Sequence, residues 1–175
     1  MNDVRSAVAR RAGPRRSDLL GIYLNDHLAG STVGTRRAAH LARSLRGSPY
    51  EAALGTIATE ITEDRATLLA LMRKLGVPAR RYKVLAGGAL ELVGRLKSNG
   101  RLIGRSPLTT LLELELLRLG VEGKAAAWRS LRRIAESDRR LDPERLDQLI
   151  ERAQRQVQVL EDLRLRQAQQ ALPAG

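Results

Sequence analysis

Apolar residues recur at alternating steps of three and four along most of this chain, the spacing that sets them on one face of an α-helix. Four long runs show it. The first opens at Ser17 and Asp18, ends at about Arg46 before Gly47, and aligns Leu20, Leu24, His27, Ser31, Gly34, Ala38, Leu41 and Leu45. The second lasts to about Leu75 and aligns Leu54, Ile57, Ile61, Asp64, Leu68 and Leu71. Its opening, Ser48-Pro49-Tyr50-Glu51, reads as a capping box with Pro at the first helical position, where a missing N–H costs nothing. Gly76-Val77-Pro78 reads as its stop. The third run, from Ser106-Pro107 to about Ala135, aligns Thr110, Leu114, Leu117, Val121, Lys124, Trp128 and Leu131. The fourth, from Asp142-Pro143-Glu144 to about Ala171, aligns Leu146, Leu149, Ala153, Gln156, Leu160 and Leu163.

Connection lengths predict how these helices are arranged. Short turns join the first to the second and the third to the fourth, so each pair is expected to be antiparallel. The long connection between the second and third can cross a bundle roughly 40 Å tall at 1.5 Å per residue, which makes those two helices parallel. Within it, Tyr82 to Lys97 is expected to form a shorter helix despite Gly87, Gly88 and Gly94. The predicted class is an all-α four-helix bundle over residues 17–172, with a long crossover that carries a short extra helix. Residues 1–16 read as a basic flexible arm, since they carry five Arg and one Asp and lack the apolar core of a secretory signal.

Polar intruders on the apolar stripes form the candidate chemistry. Ser31, Asp64, Lys124 and Gln156 lie at similar distances from the ends of their helices, with His27 and Glu60 within about a turn, so all six are expected in one layer near mid-height. A lone charge there is costly, and Lys124 is expected to pair with Asp64 or Glu60. Against this stand plainer readings, in which His27 is a hydrogen-bonded core histidine and Glu60 and Glu63 are surface acids. Gly30, Gly34 and the small residues between them predict close helix approach rather than a phosphate cradle, because no strand precedes them.

Composition narrows the field further. Aromatic residues are 2% of the 175, with no Phe, which favours helices built on Leu, Ala, Val and Ile over a β-sandwich. The absence of Cys rules out disulfides, thiolate metal sites and a Cys nucleophile, and permits a reducing cytoplasm, the expected location. No stretch approaches the roughly 18 apolar residues of a membrane span, so a soluble protein is expected. The net charge of +12 is uneven, for Arg80, Arg81, Lys83, Arg95, Lys97, Arg101 and Arg105 face a single acid, Glu91. Such a segment suits phosphates or an anionic surface, whether lipid or nucleic acid, or else is a solvated face. Tyr82 is its only aromatic, so a base-stacking platform is missing and nucleic-acid binding has little support.

Tyr23-Leu24-Asn25 and the stretch from Glu60 to Pro78 carry a resemblance to bacterioferritin and, over about Ser17 to Leu172, to small actinobacterial members of the ferritin-like superfamily. The resemblance implies a ferritin-like four-helix bundle. Such enzymes hold two irons with one Glu from each of two helices and Glu-x-x-His from each of the other two. At the matching positions this chain has Ser31, then Glu60 and Glu63, then Ala153 and Gln156, with the third-helix position near Val121, Glu122 or Lys124. Both ligand histidines are missing, and too few carboxylates remain to balance two irons.

The expected function is therefore a non-catalytic bundle that acts as an interaction or scaffold module, with an unidentified protein partner or further copies of itself. Its di-iron site would be replaced by a polar layer of His27, Ser31, Glu60, Asp64, Lys124 and Gln156. One alternative is a metal-binding protein or oxidase that holds iron or another divalent metal with His27, Glu60, Glu63 and Glu122. Another is anion binding through Arg80 to Arg105. The sequence offers no partner at hydrolase spacing for His40, so an enzyme is the less favoured outcome.

Overall fold

The computed structural model describes residues 16–80 and 106–172. It contains four helices, α1 (Arg16–Ser44), α2 (Glu51–Lys74), α3 (Pro107–Ile134) and α4 (Pro143–Ala171), and no strand among the described residues. None of these helices is long and apolar enough to cross a membrane. The short helix expected over Tyr82 to Lys97, the crossover and all of the basic arm except Arg16, which opens α1, lie outside the described residues.

Local chemistry accounts for the helix ends. Asp142 accepts from the Arg145 N–H at 3.2 Å, satisfying one orphan donor of α4, with Pro143 at the first helical position. At the end of α2, Gly76 takes φ +71, Gly76 N donates to Arg73 O and Val77 N to Met72 O, the paired bonds of a Schellman motif. The start of α2 differs from the expected capping box. Helix begins at Glu51 rather than at Pro49; Ser48 Oγ accepts from Tyr50 N at 3.2 Å, and the Glu51 carboxylate reaches back past Ser48 to Gly47 N at 2.7 Å. The cause lies in Gly47, whose φ of +75 turns its own N–H toward the new helix.

Side-chain contacts fix the helix directions. Asn25 meets Pro78 O while Thr32 meets Arg65, so α1 and α2 are antiparallel. Arg132 pairs with Asp147, Arg118 with Glu161, and Gln167 bonds Pro107 O, so α3 and α4 are antiparallel too. Tyr23 reaches Ser130 while His40 lies 3.8 Å from Glu113, which sets α1 antiparallel to α3. With α1 opposed to both, α2 and α3 point the same way, as their connection length predicts.

The core runs between the two hairpins, with Leu24, Leu54, Leu114, Leu131, Leu146, Leu149 and Leu160 almost wholly buried. Each such leucine contributes about 1.5–3 kcal/mol of transfer free energy. Packing is uneven: α1 lies along α2 and α3 along α4, but α1 meets α3 less closely and α2 meets α4 least. Between Leu28 and Ala38, α1 buries no side chain.

Candidate functional site

At mid-height, where the two hairpins meet, a polar chain passes through the core. Asp64 on α2 is 2% exposed and uses both oxygens on cations: Oδ2 accepts from Lys124 Nζ of α3 at 2.5 Å, and Oδ1 accepts from Arg152 Nη2 of α4. Lys124 also donates to Gln156 Oε1, and Gln156 Nε2 donates to Glu60 Oε2 at 2.7 Å. Arg152 Nη1 closes the run on Glu63 at 2.8 Å. In the order Glu60, Gln156, Lys124, Asp64, Arg152, Glu63 each link joins a donor to an acceptor, and Asp64 stands between two cations that repel each other. Gln156 suits its place because a primary amide presents an oxygen to the ammonium and an NH2 to the carboxylate at once. Burial pushes the Lys124 ammonium below the usual lysine range, and Asp64 opposes that shift.

Of the six residues expected in this layer, Glu60, Asp64, Lys124 and Gln156 are joined by hydrogen bonds. His27 and Ser31 are not. Ser31 Oγ donates to Leu28 O of its own helix at 2.8 Å, an ordinary back-bond that removes it from the network. The His27 ring lies edge-on to Tyr23 at 4.5 Å, and burial lowers its pKa against the pull of Asp26. Arg152 is the member that the apolar pattern does not select. Its position four residues before Gln156 places it on the flank of the α4 stripe, and the adjacent acids Glu63 and Asp64 are the signal that a second cation is needed.

The alternative metal set does not converge. Glu60 and Glu63 are engaged as above, and Glu63 is 57% exposed. Glu122 is 42% exposed and 3.9 Å from Arg118. Among the described residues no group of three or more His, Cys, Asp or Glu side chains is placed to hold a metal. The positions that match the ferritin ligands fare no better, for Ser31 is back-bonded, Ala153 is fully buried without a donor atom, and Gln156 faces an ammonium. These residues do not fit a di-iron centre. Of the basic candidates only Arg80 is described; its side chain is exposed, and its backbone N–H donates to Asn25 Oδ1 at 2.7 Å. Arg81, Lys83, Arg95, Lys97, Arg101 and Arg105 lie outside the described residues.

Beside the layer a cavity of about 510 Å³ opens between α1 and α3, with α2 as its floor. His27, Ser31, Asp64, Lys124 and Trp128 line it. Gly30 and Gly34 on α1 and Gly120 and Gly123 on α3 line it as well. A Cβ added at any of these four meets nothing within 4 Å among the described residues. Among the described residues no helix approaches Gly30 or Gly34 closely, contrary to expectation: the small residues leave space that α3 does not fill.

Compared with known protein families, curated proteins and solved structures, the chain matches none.

Proposed function

We propose that this protein is a non-catalytic member of the ferritin-like superfamily, a bundle that serves as an interaction or scaffold module. In this reading a salt-bridged polar layer stands where ferritin-like proteins hold two irons. The reading rests on the sequence resemblance, on parallel α2 and α3 flanked by antiparallel neighbours, and above all on one observation: the Lys124 ammonium lies between Asp64 and Gln156. A fixed cation at that point supplies the positive charge a carboxylate site requires and repels a divalent ion. Its partner is a protein surface or a further copy of the chain.

Anaerobic loading with ferrous iron tests the reading directly. The expected result is less than about one iron per chain, with no burst of oxidation on admitting oxygen, because a di-iron site needs about four carboxylates. Two tightly held irons would sink the scaffold reading and restore a reduced ligand set with oxidase chemistry.

A further inference from the structure

Residues 81–105, outside the described residues, have a fixed start and a fixed end. Beyond α2 the chain is held by buried Asn25 of α1, whose amide donates to Pro78 O at 3.1 Å and accepts from Arg80 N at 2.7 Å. Arg80 is therefore level with Asn25 and beside Asp26 and His27, which line one end of the α1–α3 hollow. The chain reappears at Ser106, the start of α3. Tyr23 meets Ser130 and His40 meets Glu113, so each residue up α1 matches one residue down α3, and Ser106 stands about 33 Å above Arg80. Residues 81–105 must climb the whole bundle.

α1 packs against both α2 and α3, and the chain departs on the α1 side, so the direct path to Ser106 follows the α1–α3 seam. The opposite seam is already spanned by the bonds of Arg152 and Gln156 to α2. The α1–α3 seam is unfilled and apolar, with Val33, Leu116 and Val121 in its lining and Leu119, 60% exposed, next to it. The segment has a surface to match. Leu85, Ala89, Leu92 and Leu96 recur at steps of four, three and four, the spacing of one helix face, while Lys83, Leu90 and Glu91 fall toward the other side. Such a stripe needs an apolar surface to cover.

We infer that residues 82–97 lie as a helix in the α1–α3 hollow, parallel to α1, with Leu85, Ala89, Leu92 and Leu96 turned into it. This helix rises about 24 Å and leaves residues 98–105 to reach Ser106. Counting up from Arg80 and Asn25 puts Leu85 level with Gly30 and Gly123, and Ala89 about level with Gly34 and Gly120. Small residues on two helices thus admit a third at short interaxial distance. A protein that docks on this side meets Lys83, Leu90 and Glu91 rather than the hollow. The inference does not rest on the scaffold reading, since the path of the chain is the same for a bundle of any ancestry.

The chain has no Cys, so single introduced thiols in the full protein report on the hollow. Gly30 and Gly55 are both exposed helical glycines with open Cβ positions, the first lining the hollow and the second on α2 away from it. Gly30→Cys is expected to react with a maleimide at least about tenfold more slowly than Gly55→Cys. Adding Leu85→Asp, at unchanged helix content, should bring the two rates together, whereas Leu90→Asp should leave them apart. Leu85→Ala, which should raise the Gly30→Cys rate in part, keeps the test decisive if the aspartate unfolds the chain. With Gly34→Cys and Ala89→Cys together, oxidation should join the two thiols within one chain. Three results would each overturn the proposal: equal rates at Gly30→Cys and Gly55→Cys; protection undiminished by the Leu85 variants; or disulfide-linked dimers in place of the internal bond, which would put a second copy in the hollow.

Discussion

Asp64 holds one cation on each carboxylate oxygen, and this unequal sharing sets the order of mutational costs. Replacing it as Asp64→Ala leaves Lys124 and Arg152 facing each other with no anion between them, and unfolding in urea should show a loss of about 3–5 kcal/mol. Lys124→Met leaves Asp64 still bonded to Arg152, so its cost should be smaller, about 1–3 kcal/mol. In double-mutant cycles the coupling of Lys124 to Asp64 should exceed its coupling to Glu60, which it reaches only through Gln156. A cost under about 1 kcal/mol for Lys124→Met would mean that the ammonium reaches solvent along its stem and the layer contributes little. That Lys124 pairs with Asp64 or Glu60 was legible in the sequence because helical rise is constant, so counting from each helix end places residues at a level; which of the two it takes was not. Arg152 was not legible, because a residue on the flank of a stripe faces either solvent or a neighbour according to what that neighbour carries.

At the scale of elements, the helix limits were readable where a single residue type enforces them: Pro107 and Pro143 at starts, Gly76 at an end, Asp142 as a cap. The opening of α2 was readable only in kind, since the same Ser48 and Glu51 satisfy backbone donors one step earlier than the motif implies. The hollow seam between α1 and α3 was beyond reach of the pattern. A helical wheel shows which residues face inward but not whether the opposite helix comes close enough to fill the space they leave. The open Cβ positions make a direct prediction. Gly55→Ala, exposed on α2, should raise stability by about 0.5–1 kcal/mol, read from denaturant midpoints at unchanged slope, because alanine is the better helix former and nothing obstructs its methyl. Gly34→Ala and Gly120→Ala should gain less, because there the methyl meets the helix inferred over residues 82–97. A full gain at both would mean that the seam is open in solution.

For the molecule as a whole, the architecture is two well-packed hairpins joined across a thinner contact, and the polar layer crosses that contact at mid-height. The hairpins have apolar faces that could slide by a turn, about 5.4 Å, with modest loss of burial, but such a shift would take Lys124 and Arg152 away from Asp64. The layer therefore holds the register between hairpins, a use of buried charge that specifies one arrangement more than it stabilises it. The ammonium that lies there is tied to the chain by covalent bonds, and so it has no dissociation constant. A fold held by a bound ion gains stability with the logarithm of that ion's concentration and loses it to any stronger chelator. This one should melt at the same temperature in the presence of excess chelator, added ferrous iron or neither, as a thermal scan would show. On that outcome its central positive charge is renewed each time the protein is synthesised, and a cell starved of metal would fold it as readily as one that is replete.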